Sequence, residues 1–160
     1  MQISHNIPPV YDKNSKILIL GSFPSVKSRE TEFFYGHPQN RFWRVISAVF
    51  GCDVPTSNEE KRNLLLKNGI ALWDVVASCS IEGSADSKIT HVVPNDISGI
   101  LVTCDIKKIF VNGKTAQKLY DKHIQPVINR SAVYLPSTSP ANAGWSFERL
   151  LSEWNRNIIE

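Results

Sequence analysis

Residues 16–21 read Lys16-Ile17-Leu18-Ile19-Leu20-Gly21. The run lacks in/out alternation, so both faces of its strand are expected to be buried, as in a parallel sheet. Three further segments look alike: Ile70–Val76 (IALWDVV), Ile106–Val111 (IKKIFV) before Asn112-Gly113, and the short Val133–Leu135. Helical patterns lie between them. Phe42, Ile46, Val49 and Phe50 fall on one helical face. Ser57 and Glu60 make a capping box, and the helix it opens runs to the C-cap signal Asn68-Gly69. Ile97, Ile100, Leu101 and Cys104 share helical spacing behind a cap at Asn95 or Asp96. Ala116, Leu119, Tyr120 and His123 mark the next helix, and Phe147, Leu150, Leu151, Trp154 and Ile158 the last. Four strands alternating with helices predict an α/β fold with a central parallel sheet.

The 160 residues predict one domain. Hydrophobic residues make up 42% and charged residues 21%, which fits an ordinary globular protein. No apolar run approaches a membrane span, and Met1–Asn6 lacks the pattern of a signal peptide. The net charge of +3 permits an anionic partner without requiring one. Three cysteines, Cys52, Cys79 and Cys104, give no disulfide framework and no CxxC pair for zinc, and they are too few for a four-cysteine iron–sulfur site. A reducing cytoplasm is the expected compartment.

In open α/β sheets, ligands bind beyond the carboxyl ends of the strands, so the loops that follow the strands decide function. The first is Gly21-Ser22-Phe23-Pro24-Ser25, a tight loop with exposed N–H groups that matches neither a P-loop nor a nucleophile elbow. Tyr35-Gly36-His37-Pro38-Gln39-Asn40-Arg41-Phe42-Trp43 then runs into a helix. Asn40 stands where an N-cap belongs, Tyr35 reads equally as a half-buried ring, and His37 reads as a satisfied loop histidine. The third stretch is Pro136-Ser137-Thr138-Ser139-Pro140-Ala141-Asn142-Ala143-Gly144-Trp145. Its hydroxyls lie ahead of a helix, as in a phosphate cradle or an ordinary capped loop.

Taken together, these stretches resemble the uracil-DNA glycosylase superfamily, and the likeness extends through GIALWDVVASCSIEGSADSKI and FVNGKTA to nearly the whole chain. The resemblance implies a three-layer αβα sandwich. It departs from the mismatch-specific uracil/thymine branch at Phe23, where that branch carries a water-holding Asn, and at Leu135, where His, Asn or Met usually stands. The combination is most similar to the hypoxanthine-DNA glycosylase branch, which has no iron–sulfur cluster. There the catalytic role falls to the Asn of an HPxN motif, here Asn40.

The resemblance further implies base flipping. Tyr35 stacks on the extruded base, and Gly21, Ser22, Phe23 and Pro24 contact it with their backbone. Asn112 either contacts the base or closes a turn. Ser137 and Ser139 hold phosphates flanking the lesion, Ser25, Pro136 and Thr138 also contact DNA, and Asn142, Ala143 and Gly144, with Trp145, are the candidate wedge that fills the gap. Asp74 and Asp86 help position water or anchor loops. Arg41 and Arg44 contact DNA or are solvated helix charges. The expected partner is double-stranded DNA carrying a deaminated base, bound by a monomer, with no metal and no cofactor. The competing readings are a mismatch-specific uracil/thymine glycosylase, a non-catalytic module that binds damaged DNA, and a small-molecule hydrolase using Ser22 or Ser25.

Overall fold

The apolar runs pair as their composition dictates. In the computed structural model, which describes residues 2–4, 7–81 and 89–159, the chain begins with β1 (Gln2–Ser4), β2 (Ile17–Gly21), α1 (Val26–Thr31), α2 (Phe42–Val49) and α3 (Asn58–Lys67). It continues through β3 (Ile70–Asp74), β4 (Val76–Ile81), β5 (Ile89–Pro94), α4 (Ser98–Thr103) and β6 (Lys108–Asn112). The last elements are α5 (Lys114–His123), α6 (Gln125–Ile128), β7 (Val133–Leu135) and α7 (Phe147–Ile159). Four strands form a wholly parallel sheet in the order β3-β2-β6-β7.

The period of the strands splits the core in two. Ile19 joins Phe42, Ile46, Leu72, Phe110 and Trp154 on one face, where α2 packs on α7. Leu18 and Leu20 point the other way, among Ala71, Ile100, Val111, Ala116 and Tyr120. Helices therefore cover both faces, and the layers are αβα. Trp154 is fully buried, meets Phe42 edge-on at 5.8 Å, and donates its indole N–H to the Pro136 carbonyl at 2.8 Å.

The Ile70–Val76 run is not one strand. The chain leaves the parallel sheet after Asp74, and Val75 and Val76 donate their N–H groups to the carbonyls of Gly21 and Ser22 at 2.8 and 3.0 Å. Val76 then starts a second, antiparallel sheet in the order β1-β4-β5. The polar β1 and half-buried β5 carry too little apolar pattern to announce that sheet. Asp86 lies in 82–88, outside the described residues.

Other boundaries shift for identifiable reasons. Ser57 caps α3 by accepting from the Glu60 N–H at 3.0 Å, but the Glu60 carboxylate reaches Thr56 rather than closing the box on Ser57. Asp96 rather than Asn95 caps α4, accepting from the Ser98 N–H at 3.0 Å. The Asn95 amide instead donates to the Asp74 carbonyl at 2.8 Å, tying the turn between the two sheets to the end of β3.

Candidate active site

The carboxyl ends of β2, β3, β6 and β7 open on one cavity of about 340 Å³. Gly21, Asp74 and Asn112 close three of the strands, and the Ser137–Ala141 loop follows the fourth. Of the expected site residues, Gly21, Ser22, Phe23, Pro24, Ser25, Tyr35, Asn40, Asn112, Ser137, Thr138 and Ser139 all line this space.

Gly21 is required by crowding. A Cβ there would sit 2.5 Å from Asp74 Oδ1 and 2.9 Å from the Tyr35 hydroxyl oxygen. The backbone of β2 thus passes directly beneath two polar groups of the cavity. Ser25 caps α1, accepting from the Ser28 N–H at 3.1 Å and donating to the Ser28 hydroxyl at 3.2 Å. Ser28 in turn accepts from the Gly36 N–H at 2.9 Å, which joins the first loop to the aromatic segment. Ser25 is therefore built as a cap, and nothing around it resembles a nucleophile's base.

Tyr35 has φ +53°, in the left-handed region that costs an L-residue roughly 1–2 kcal/mol. Its ring is held there by stacking on Phe42 at 4.2 Å and 18°, and its hydroxyl accepts from the Asn112 amide at 3.1 Å. One ring face is thus taken by the protein while the residue borders the cavity. Asn40 plays two parts. Its Oδ1 accepts from the Phe42 N–H at 2.9 Å, but the cap position of α2 belongs to Arg41, so Asn40 ties down the helix start from one residue ahead, and the half-buried residue also lines the cavity. Its amide is thereby held in one orientation. His37 accepts from the Gln39 N–H at 3.1 Å, as a satisfied loop histidine should.

Asn112 is a hub rather than a free base contact. Its Nδ2 donates to Tyr35 and to the Thr138 hydroxyl at 3.0 Å, and its Oδ1 accepts from the Thr138 N–H at 3.1 Å. Both amide hydrogens are used, so the expected contact to a base gives way to a role in positioning Tyr35 and the last loop. Asp74 is 3% exposed and lines the cavity, while its carbonyl anchors Asn95.

The last loop divides into an inner and an outer part. Pro136 and Thr138 are buried, Thr138 fully so. They brace the loop, which corrects the expectation that they meet DNA directly. The Ser137 and Ser139 oxygens accept from the N–H groups of Ser139 and Ala141, each at 3.1 Å, leaving their hydroxyl hydrogens to donate outward. Asn142 donates to the Ser137 carbonyl at 3.0 Å, and Ala143 and Gly144 are exposed at the tip.

Arg41 is neither a DNA contact nor a solvated charge. Its guanidinium donates to the carbonyls of Trp145, Asn142 and Ser139, and its N–H to the Thr138 carbonyl at 3.0 Å. It clamps the loop from the α2 side, whereas Arg44 is exposed. Hydrogen bonds from a charged group contribute about 1.5–3 kcal/mol. Arg41→Met should therefore weaken binding of lesion-bearing DNA by at least about tenfold, read by fluorescence anisotropy, with the secondary structure retained. The clamp was invisible in the sequence because its partners are backbone carbonyls about a hundred positions away. Arg29 and Ser28 also line the cavity unannounced. The signal that could have found Ser28 is its place three residues after the Ser25 cap.

A mostly apolar, ring-lined cavity with a few convergent polar groups, beyond a parallel sheet and beside a serine-bearing loop, fits a DNA N-glycosylase, a hydrolase of the bond between base and deoxyribose. The chain belongs to the Uracil DNA glycosylase superfamily, whose family model matches residues 8–159. It is 40% identical over 154 residues to a protein of Methanosarcina acetivorans named Hypoxanthine DNA glycosylase, covering 95% of this chain and 96% of the relative. A protein of the same name from Methanosarcina barkeri is 39% identical over 109 residues, 67% of this chain and 69% of the relative. A solution NMR structure of a Methanosarcina acetivorans protein superposes with a TM-score of 0.82 at 37% identity, covering 98% of this chain and 96% of that one. Among the described residues, no helix is long and apolar enough to cross a membrane, and no group of three or more His, Cys, Asp or Glu side chains is placed to hold a metal ion.

Proposed function

We propose that this glycosylase releases hypoxanthine from deoxyinosine in double-stranded DNA, with residues 1–160 acting as one catalytic domain. The observation that carries the reading is the amide of Asn40, held by the α2 terminus at the edge of a cavity whose rim is the stacked ring of Tyr35. A duplex base must leave the stack to reach this cavity, at a cost of a few kcal/mol that is smallest for a weakened pair such as one containing inosine. Stacking on Tyr35 returns roughly 1–3 kcal/mol of that cost. Asn40 orients a water on C1′. The water oxygen bonds to C1′, the electron pair of the C1′–N9 bond leaves with the purine, and the water's proton passes to the released base or to solvent. The transition state resembles an oxocarbenium ion, so it needs a placed water and met charge more than a strong base.

From the last loop, the Ser137 and Ser139 hydroxyls donate to phosphates flanking the lesion, and the Asn142–Trp145 tip fills the vacated stack. The protein acts as a monomer in the cytoplasm, where its three cysteines stay reduced.

The test is alkali-developed cleavage of an end-labelled duplex carrying one deoxyinosine, beside a duplex with deoxyuridine opposite guanine. Inosine cleavage well above uracil cleavage is expected. Dominant uracil cleavage would move the protein to the mismatch-uracil branch. Binding without an abasic product from either duplex would leave a DNA-binding module.

A further inference from the structure

Arg29 stands in α1 and lines the cavity, yet the mechanism above gives it no task. Its guanidinium carbon lies 5.5 Å from the centroid of the Phe23 ring, and Phe23, only 7% exposed, borders the same space. Its Nε is buried and meets no hydrogen-bond acceptor among the described residues. Two other half-buried arginines spend such groups on backbone carbonyls, whereas Arg62, like Arg29, lies over a ring, that of Phe33 at 6.0 Å. Arg41 spends its guanidinium on loop carbonyls, and Arg130 donates to the Ile106 carbonyl at 3.0 Å. The guanidinium as a whole borders the cavity and has no hydrogen-bond acceptor among the described residues, so its outer N–H groups are left for a ligand.

We infer that Arg29 is a specificity-determining residue that reads the Hoogsteen edge of the flipped base, its two Nη groups donating to O6 and N7 of hypoxanthine. The inference rests on the proposed function above. The guanidinium fork fits two acceptors side by side, and a 6-oxopurine presents them at O6 and N7. Adenine places an amino donor beside N7, which the fork meets with repulsion. Uracil has no second acceptor beside its O4. Guanine offers the same two acceptors, but its stable pair with cytosine makes it costly to extrude. Deamination of adenine therefore creates the edge that Arg29 recognises. The Phe23 ring keeps the guanidinium in place and stands where a water-holding asparagine would otherwise compete for the space.

The test compares single-turnover excision of deoxyinosine and of 7-deaza-deoxyinosine, which lacks the N7 acceptor, by the wild type, Arg29→Lys and Arg29→Met. In the wild type the rate ratio contains both the contact and the intrinsic difference between the leaving groups. In the variants only the latter remains, so the ratio should fall by about tenfold or more in both. Arg29→Lys keeps the charge and loses the fork, so a ratio retained in that variant overturns the two-point contact. Equal slowing of both substrates, or no change on either, also overturns it. Equal slowing with a shallower salt dependence of binding would reassign Arg29 to a DNA phosphate. A wild-type protein that leaves deoxyinosine intact fails at the proposed function itself.

Discussion

Asn40→Ala lowers single-turnover excision of deoxyinosine by about 10²–10³-fold, the usual loss when one preorganised polar group is removed from a transition state. The expected cost to stability is much smaller. The substitution deletes the acceptor that receives the Phe42 N–H, and losing such a hydrogen bond costs about 1 kcal/mol. For a chain of this size that is roughly 2–4 °C in the melting midpoint. Rate and stability therefore part company. Asn40→Asp separates them further, because the carboxylate still accepts from the Phe42 N–H, at a helix end that favours negative charge, and still accepts from a water. Its midpoint should match the wild type while its rate falls between wild type and Asn40→Ala. A folded Asn40→Ala protein that excises at nearly the wild-type rate would show that the amide ties down the helix start and does nothing more.

Gly21→Ala abolishes most of the activity by a different route. The added methyl would lie 2.5 Å from Asp74 Oδ1 and 2.9 Å from the Tyr35 oxygen, both closer than real contacts allow. β2 cannot retreat, because it is paired on both sides by β3 and β6. Asp74 is buried, and Tyr35 is already held by Phe42 and Asn112. The Tyr35 ring, proposed to stack on the base, therefore moves, and a misplacement of about 1 Å costs on the order of 10²-fold in rate. Overpacking costs about 1–3 kcal/mol in stability. The check is single-turnover excision together with thermal unfolding. An unchanged excision rate would mean that neither Asp74 nor Tyr35 needs its observed position.

The sequence carried the parallel sheet because its strands are apolar on both faces, and the covering helices because their periods are clean. It carried the site as a set of loops because ligands gather beyond strand ends. It did not carry the second sheet. The three residues of β1 have no pattern, and the single residue Val75 between β3 and β4 reads as the continuation of one strand. Within the site, the sequence nominated Asn112, Pro136 and Thr138 by position, and position cannot distinguish a group facing the ligand from one supporting its neighbour. That distinction depends on which hydrogens of an amide are already used. Arg41 was nominated for its charge, and the structure spends that charge on its own loop.

Residues 21, 74, 112 and 138 meet in one small volume, yet the first three end different strands, the fourth lies in the loop after β7, and all come from distant parts of the chain. Every contact among them is nonlocal, so the entropy of closing long loops must be met before any of them forms. During folding the pocket is consequently late to appear, and it appears as a whole. A partly folded chain, or one with β7 and the loop after it detached, has Asn40 on its helix but neither the Asn112–Thr138 brace nor a fixed Tyr35. Such a species has no half-built pocket in which to hold a normal base beside a water. The same remote pairing that makes the site slow to assemble thus ties the power to cut to completion of the fold.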